Sequence, residues 1–277
     1  MDTYFDLGRH SFPVTTQSNE AQTWFDRGIL WTYGYNHEEA ITCFERAIKA
    51  DPKCAMAHWG AGYAAGPNYN MPWDLFDYAG RAAAARAGYS HARKALDLID
   101  GVTGWEAALI HALQARHPQP DPLDPKAMKA WNADFADAMR DVFAAHPESH
   151  EVRTVFAESL LNLTPWKMWD LPSGQPAEGA RTVEVQTVLE EAIEGDPSAM
   201  YHPGLLHLYV HLMEMSPFPE KALKAGDALR RLVPDAGHLI HMPTHIDILC
   251  GHYQNVVDWN EAAIKADLKF YEERGAF

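Results

Sequence analysis

Along most of this chain apolar residues recur at helical spacing within alanine-rich runs, and proline or glycine interrupts the runs at regular intervals. Strict alternation of β-branched with polar residues, the mark of a half-buried strand, is almost absent, so the pattern predicts an all-α protein. The first clear helical hairpin covers residues 21–52, AQTWFDRGILWTYGYNHEEAITCFERAIKADP. Similar pairs of runs follow: CAMAHWGAGYAAG with SHARKALDLID, GWEAALIHALQARHP with KAMKAWNADFADAMRDVFAAHP, and SHEVRTVFAESLLNL with RTVEVQTVLEEAIEGDP. PGLLHLYVHLMEM with PEKALKAGDALRRLVP and GHLIHMPTHIDIL with NVVDWNEAAIKAD complete the series.

In the first hairpin Trp24, Gly28, Trp31, Ala40, Phe44, Ala47 and Pro52 run large, small, aromatic, small, aromatic, small, proline. That order and spacing resembles the tetratricopeptide repeat, in which small residues let two helices approach closely and proline ends the second. The resemblance implies a right-handed superhelical solenoid of roughly six hairpins, with the usual repeat of about 34 residues stretched by insertions in the second to fourth units. A single repeat domain over residues 20–277 would then follow an N-terminal extension over residues 1–19. Stacked units of this kind present the first helix of each hairpin to a concave groove.

Candidate chemistry is concentrated between His202 and Asp247, in HPGLLHLYVHLMEMSPFPEKALKAGDALRRLVPDAGHLIHMPTHID. His207, His211 and Glu214 are spaced by four and then three residues, which stacks them on one face of a helix. His238, His241 and His245 repeat the stripe with the spacings reversed. Packed helices lie roughly 8–10 Å apart, close enough for both stripes to reach one ion. A buried histidine bonded to a backbone carbonyl explains any one of the five histidines, but two aligned stripes point to a metal centre. Pro243 interrupts the second stripe, since proline inside a helix either kinks it or starts a new one.

The repeat resemblance, counted from Pro234, implies groove positions for all six residues, and counted from Pro147 for Glu158 as well. It also puts His58 and His111 on first helices. With those residues in the groove the chain has ligands for one or two transition-metal ions. Imidazole with carboxylate suits copper, iron or zinc, and spacing does not choose among them. Glu158 is the candidate general base. The sequence between His207 and His211 reads HLYVH and lacks the glutamate of a zincin, and neither a GxxxxGK[ST] loop nor a GxSxG elbow is present.

Two loop segments, GPNYNMPW and TPWKMWD, carry Trp73, Trp166 and Trp169. They are expected either to cap the groove or to cover the edge of the core. The N-terminal GRHSFPVTTQS has no periodicity, and either folds back with His10 among the groove residues or remains a disordered tail. The 38 acidic residues against 23 basic ones give a formal charge of −15, which excludes nucleic-acid and anionic-membrane partners from the expectation. Three cysteines without CxxC spacing, and an N-terminus without a basic start and apolar run, predict a cytoplasmic protein.

Two functions follow. The first is a metal-dependent enzyme acting on a small molecule in the groove, an oxidoreductase before a hydrolase, with its ion held by His207, His211, His241 and His245; Glu214 is a fifth ligand or orients the others, and His238 is a further candidate ligand. The second is a non-catalytic repeat scaffold binding a peptide or protein partner; an inner face offering His and Glu rather than Lys and Arg weighs against the common clamp for a peptide's C-terminal carboxylate, though not against other ligands.

Overall fold

The computed structural model describes residues 4–275. These residues are all-α apart from short irregular segments and one small hairpin, as the apolar pattern predicts. The chain divides into two compact units, Ser11–Trp166 and a second formed by Met1–His10 with Lys167–Phe277. They are called the N-terminal and C-terminal units below.

The N-terminal unit contains α1 (Asn19–Tyr33), α2 (His37–Ala50), α3 (Ala55–Ala64), α4 (Tyr78–Asp97), α5 (Gly104–Arg116), α6 (Pro125–Ala145) and α7 (His150–Leu161). Consecutive helices pack as α1 with α2, α3 with α4 and α5 with α6. Their starts are capped by side chains: Ser18 accepts from Ala21 N–H, and Asn36 from Glu39 N–H, each satisfying a donor that the helix leaves unpaired. Glu106 caps α5 together with Thr103 and also accepts from the Thr15 amide and hydroxyl at 2.6 Å each. Residues 11–18 are thereby tied to α5, with Phe12 buried and stacked on Trp105 at 5.2 Å.

Phe44 on α2 explains why the first hairpin is rich in small residues. Its fully buried ring lies between Gly28 of α1 and Gly60 of α3, where an added Cβ would fall 2.5 Å and 2.4 Å from ring carbons. Gly60→Ala must displace a ring enclosed on both sides, an overpacking change expected to cost about 1–3 kcal/mol. A lower midpoint in urea unfolding with an unchanged slope measures it. Gly104→Ala, with no neighbour within 4 Å, is the control and should show no such loss.

The tryptophans of the two inserted segments divide between the core and the surface. Trp73 is 1% exposed and packs with Ala85, Met128 and Trp131, between α4 and α6. Trp169 is also buried, and its indole donates to the Leu212 carbonyl at 2.7 Å within the C-terminal unit. Only Trp166 is exposed, its indole 3.2 Å from Asn70 Oδ1 in the other inserted loop.

The C-terminal unit begins with an antiparallel pair, β1 (Trp169–Asp170) and β2 (Gln175–Pro176). It continues as α8 (Thr182–Gly195), α9 (Pro203–Met213), α10 (Leu223–Leu229), α11 (Gly237–His241), α12 (Pro243–Leu249) and α13 (Tyr253–Arg274). The fourth expected hairpin thus draws α7 from one unit and α8 from the other. Residues 4–10 join this unit: Phe5 stacks on Phe270 at 5.3 Å, and Asp235 N–H donates to the Asp6 carbonyl at 3.0 Å. Gly8 has φ +80° with the Leu232 carbonyl oxygen where a Cβ would stand, so only glycine passes there. No helix among the described residues is long and apolar enough to cross a membrane.

Candidate metal centre

α9 starts at Pro203, whose fixed φ suits a first helical position, and His202 caps it by accepting from Leu205 N–H at 3.1 Å. Every residue of α9 is buried, because α8, α10 and α12 pack around it. A helix apolar on nearly all sides belongs inside a protein, and it carries His207 and His211 in with it at 1% and 2% exposure.

The second stripe is supplied by two short helices. α11 ends at His241 and α12 starts at Pro243, so the proline begins a new helix. Gly226 of α10 lies against the Pro243 ring, with only 3.0 Å for an added Cβ, and the close contact seats α12 beside α10. His238 and His241 therefore stand on one helix and His245 on the next.

Across this arrangement His207 Nε2 lies 3.1 Å from His238 Nε2. His207, His211 and His238 each offer a ligand atom, and these atoms lie within 4.8 Å of one another. His241 Nε2 lies 3.0 Å from His245 Nε2. Glu214, just past the end of α9, accepts from His211 Nδ1 at 2.8 Å through one oxygen and from His245 Nδ1 through the other. All six residues singled out in the C-terminal stretch thus meet in one cluster.

Burial, with the neighbouring imidazoles, pushes His238 down to about 3, and burial lowers His211 although Glu214 opposes it. Burial alone would raise the Glu214 carboxyl, but the hydrogen bonds from His211 and His245 outweigh it and hold it at about 2. At neutral pH His211 and His238 are consequently neutral, each with a lone pair, next to an ionised carboxylate. A carboxylate that accepts Nδ1–H fixes the tautomer of His211 and turns its Nε2 lone pair outward, the arrangement that supports imidazole ligands in metal proteins.

The remaining candidates belong to the N-terminal unit. His58 on α3 pairs with His91 of α4 at 3.1 Å between Nδ1 atoms, and burial followed by the His91 charge pushes it down to about 4. His111 is exposed on α5. Glu158 on α7 is 4% exposed and accepts from the Tyr63 hydroxyl, and burial raises its carboxyl against the pull of Tyr63 and of the Arg116 guanidinium. Sequence spacing missed His91, which is 33 residues from its partner, and Asn260 on α13, which holds His241 Nδ1 at 2.7 Å.

No protein-family profile matches this chain, and no curated protein matches it.

Proposed function

We propose that the chain binds a transition-metal ion between α9 and α11 through His207, His211 and His238, and uses it as a metal-dependent enzyme on a small molecule. The observation that carries this reading is the convergence of three imidazole nitrogens within 4.8 Å, two of them on a wholly buried helix. Imidazole donors suit copper, iron and zinc. Both oxygens of the carboxylate in the cluster, Glu214, are engaged by His211 and His245, which leaves it badly placed as a general base, so redox chemistry is the first reading and metal-assisted hydrolysis the second. The helical scaffold is of tetratricopeptide type on this reading, supported by the successive packed pairs α1–α2, α3–α4 and α5–α6 and by the Phe44 ring seated between Gly28 and Gly60.

The test is elemental mass spectrometry of untagged protein, stripped with chelator and reloaded separately with Cu(II), Fe(II) and Zn(II) before exhaustive dialysis. Retention of at least one equivalent of copper or iron is expected. Zinc alone retained would move the reading to hydrolytic or structural chemistry, and no retained metal would sink it.

A further inference from the structure

Asn260 has its amide orientation fixed by its own contacts. Its Nδ2 donates to the Val256 carbonyl at 2.8 Å and to Thr244 Oγ1 at 3.3 Å, which leaves Oδ1 facing His241 Nδ1 at 2.7 Å. An amide oxygen only accepts, so the His241 ring carries a proton on Nδ1. Glu214 imposes the same choice on His245, whose Nδ1 faces a carboxylate oxygen. In their neutral forms both rings then present bare Nε2 lone pairs to one another, 3.0 Å apart.

Two lone pairs so placed repel unless a cation lies between them. Metal–imidazole bonds of about 2.0–2.1 Å that meet at angles from right to tetrahedral separate two nitrogens by about 2.9–3.4 Å, which brackets the observed distance. A linear two-coordinate ion, by contrast, would hold them about 4 Å apart.

We propose that His241 Nε2 and His245 Nε2 form a second transition-metal site, beside the His207, His211 and His238 centre and joined to it by Glu214. The inference rests on the metal reading above and adds a second ion to it. The two sites differ in access. His207 and His211 are almost fully buried, whereas the His245 side chain is 39% exposed. Two protein ligands leave coordination positions open on that accessible side, the condition for an ion that meets solvent or a small molecule. Glu214 is the shared positioning residue, since it orients His211 toward one site and His245 toward the other.

The experiment loads chelator-stripped wild type and the single variants His245→Ala, His241→Ala and His207→Ala with Co(II), and counts bound ions by elemental mass spectrometry. The visible Co(II) spectrum is recorded alongside, and far-UV circular dichroism checks the fold. Two ions in wild type and one in each variant are expected, with the His245→Ala and His207→Ala spectra differing because each retains a different site. Because the His245 side chain reaches solvent, its variant should fold even where His241→Ala does not. One ion in wild type that survives both His241→Ala and His245→Ala would overturn the second site while leaving the first standing. One ion lost in every variant would replace the pair by a single mixed centre. Two ions in His245→Ala would also overturn the assignment, with a shared proton then explaining the close nitrogens. No ion in wild type would remove both sites together.

Discussion

Replacing His211 by alanine is expected to lower the affinity of the proposed His207, His211 and His238 metal site by more than about 100-fold while leaving the helices in place. Loss of an outer-shell partner alone typically costs about 10–100-fold in affinity, and His211 is a proposed ligand. Its neighbours make the effect local. His211 sits on a helix held on all sides by apolar contacts, with Leu205, Leu206, Leu208, Val210, Leu212 and Met213 buried around it. The substitution leaves Glu214 one imidazole partner, His245, and costs about 1–3 kcal/mol as one carboxylate oxygen loses its donor. Equilibrium dialysis against a competing chelator measures the affinity, and circular dichroism measures the helicity. His111→Ala is the control: the ring is exposed on α5 of the other unit, and neither quantity should change. Unchanged affinity in His211→Ala would return the cluster to an imidazole hydrogen-bond network.

The cluster was legible in the sequence to the extent that helical spacing determines it. Spacings of four and three residues put His207, His211 and Glu214 on one side of α9, and the structure keeps them there. Spacing also carried His238 and His241 on α11, and Pro243 announced the break that hands His245 to α12. Periodicity gives a residue's face and not its partner, however. His58 meets His91 because α3 packs on α4, and Asn260 reaches His241 because α13 packs on α11, and neither contact leaves a local signal. The repeat resemblance put Glu158 at a groove position as candidate general base, but its engagement by Tyr63, 95 residues away, depends on how α3 and α7 are brought together and leaves no local signal. The tryptophans of the inserted loops show the same limit. Trp73 and Trp169 went to core positions and Trp166 to the surface, although composition marks all three alike.

Behind the histidines, Asp247→Ala is expected to cost about 3–5 kcal/mol of stability, because it strands a buried guanidinium. Asp247 Oδ2 lies 2.8 Å from Arg230 Nη2, and both side chains are 1% exposed. The pair ties the end of α10 to α12, and the Arg230 guanidinium also lies 5.1 Å from the Trp259 ring centre on α13. Removing the carboxylate leaves a guanidinium with little water to replace it, because the nearby Asp227, at 3.3 Å, is itself mostly solvated. The attraction between the two charges is not what makes the change severe, since desolvation offsets most of it. Accordingly the double variant Arg230→Met with Asp247→Leu, which removes both charges and restores apolar volume, should recover most of the loss. Urea unfolding of the single and double variants measures both quantities. A double variant as unstable as Asp247→Ala would mean that packing of the aspartate itself, and not the stranded guanidinium, sets the cost. Because α12 also carries His245, metal provides an independent check. An ion that binds only the folded chain, supplied at about 100 times its dissociation constant, adds about 2.7 kcal/mol. Metal should therefore restore much of the stability of Asp247→Ala if that variant still holds its sites, and the gain should vanish when His211→Ala and His245→Ala are added.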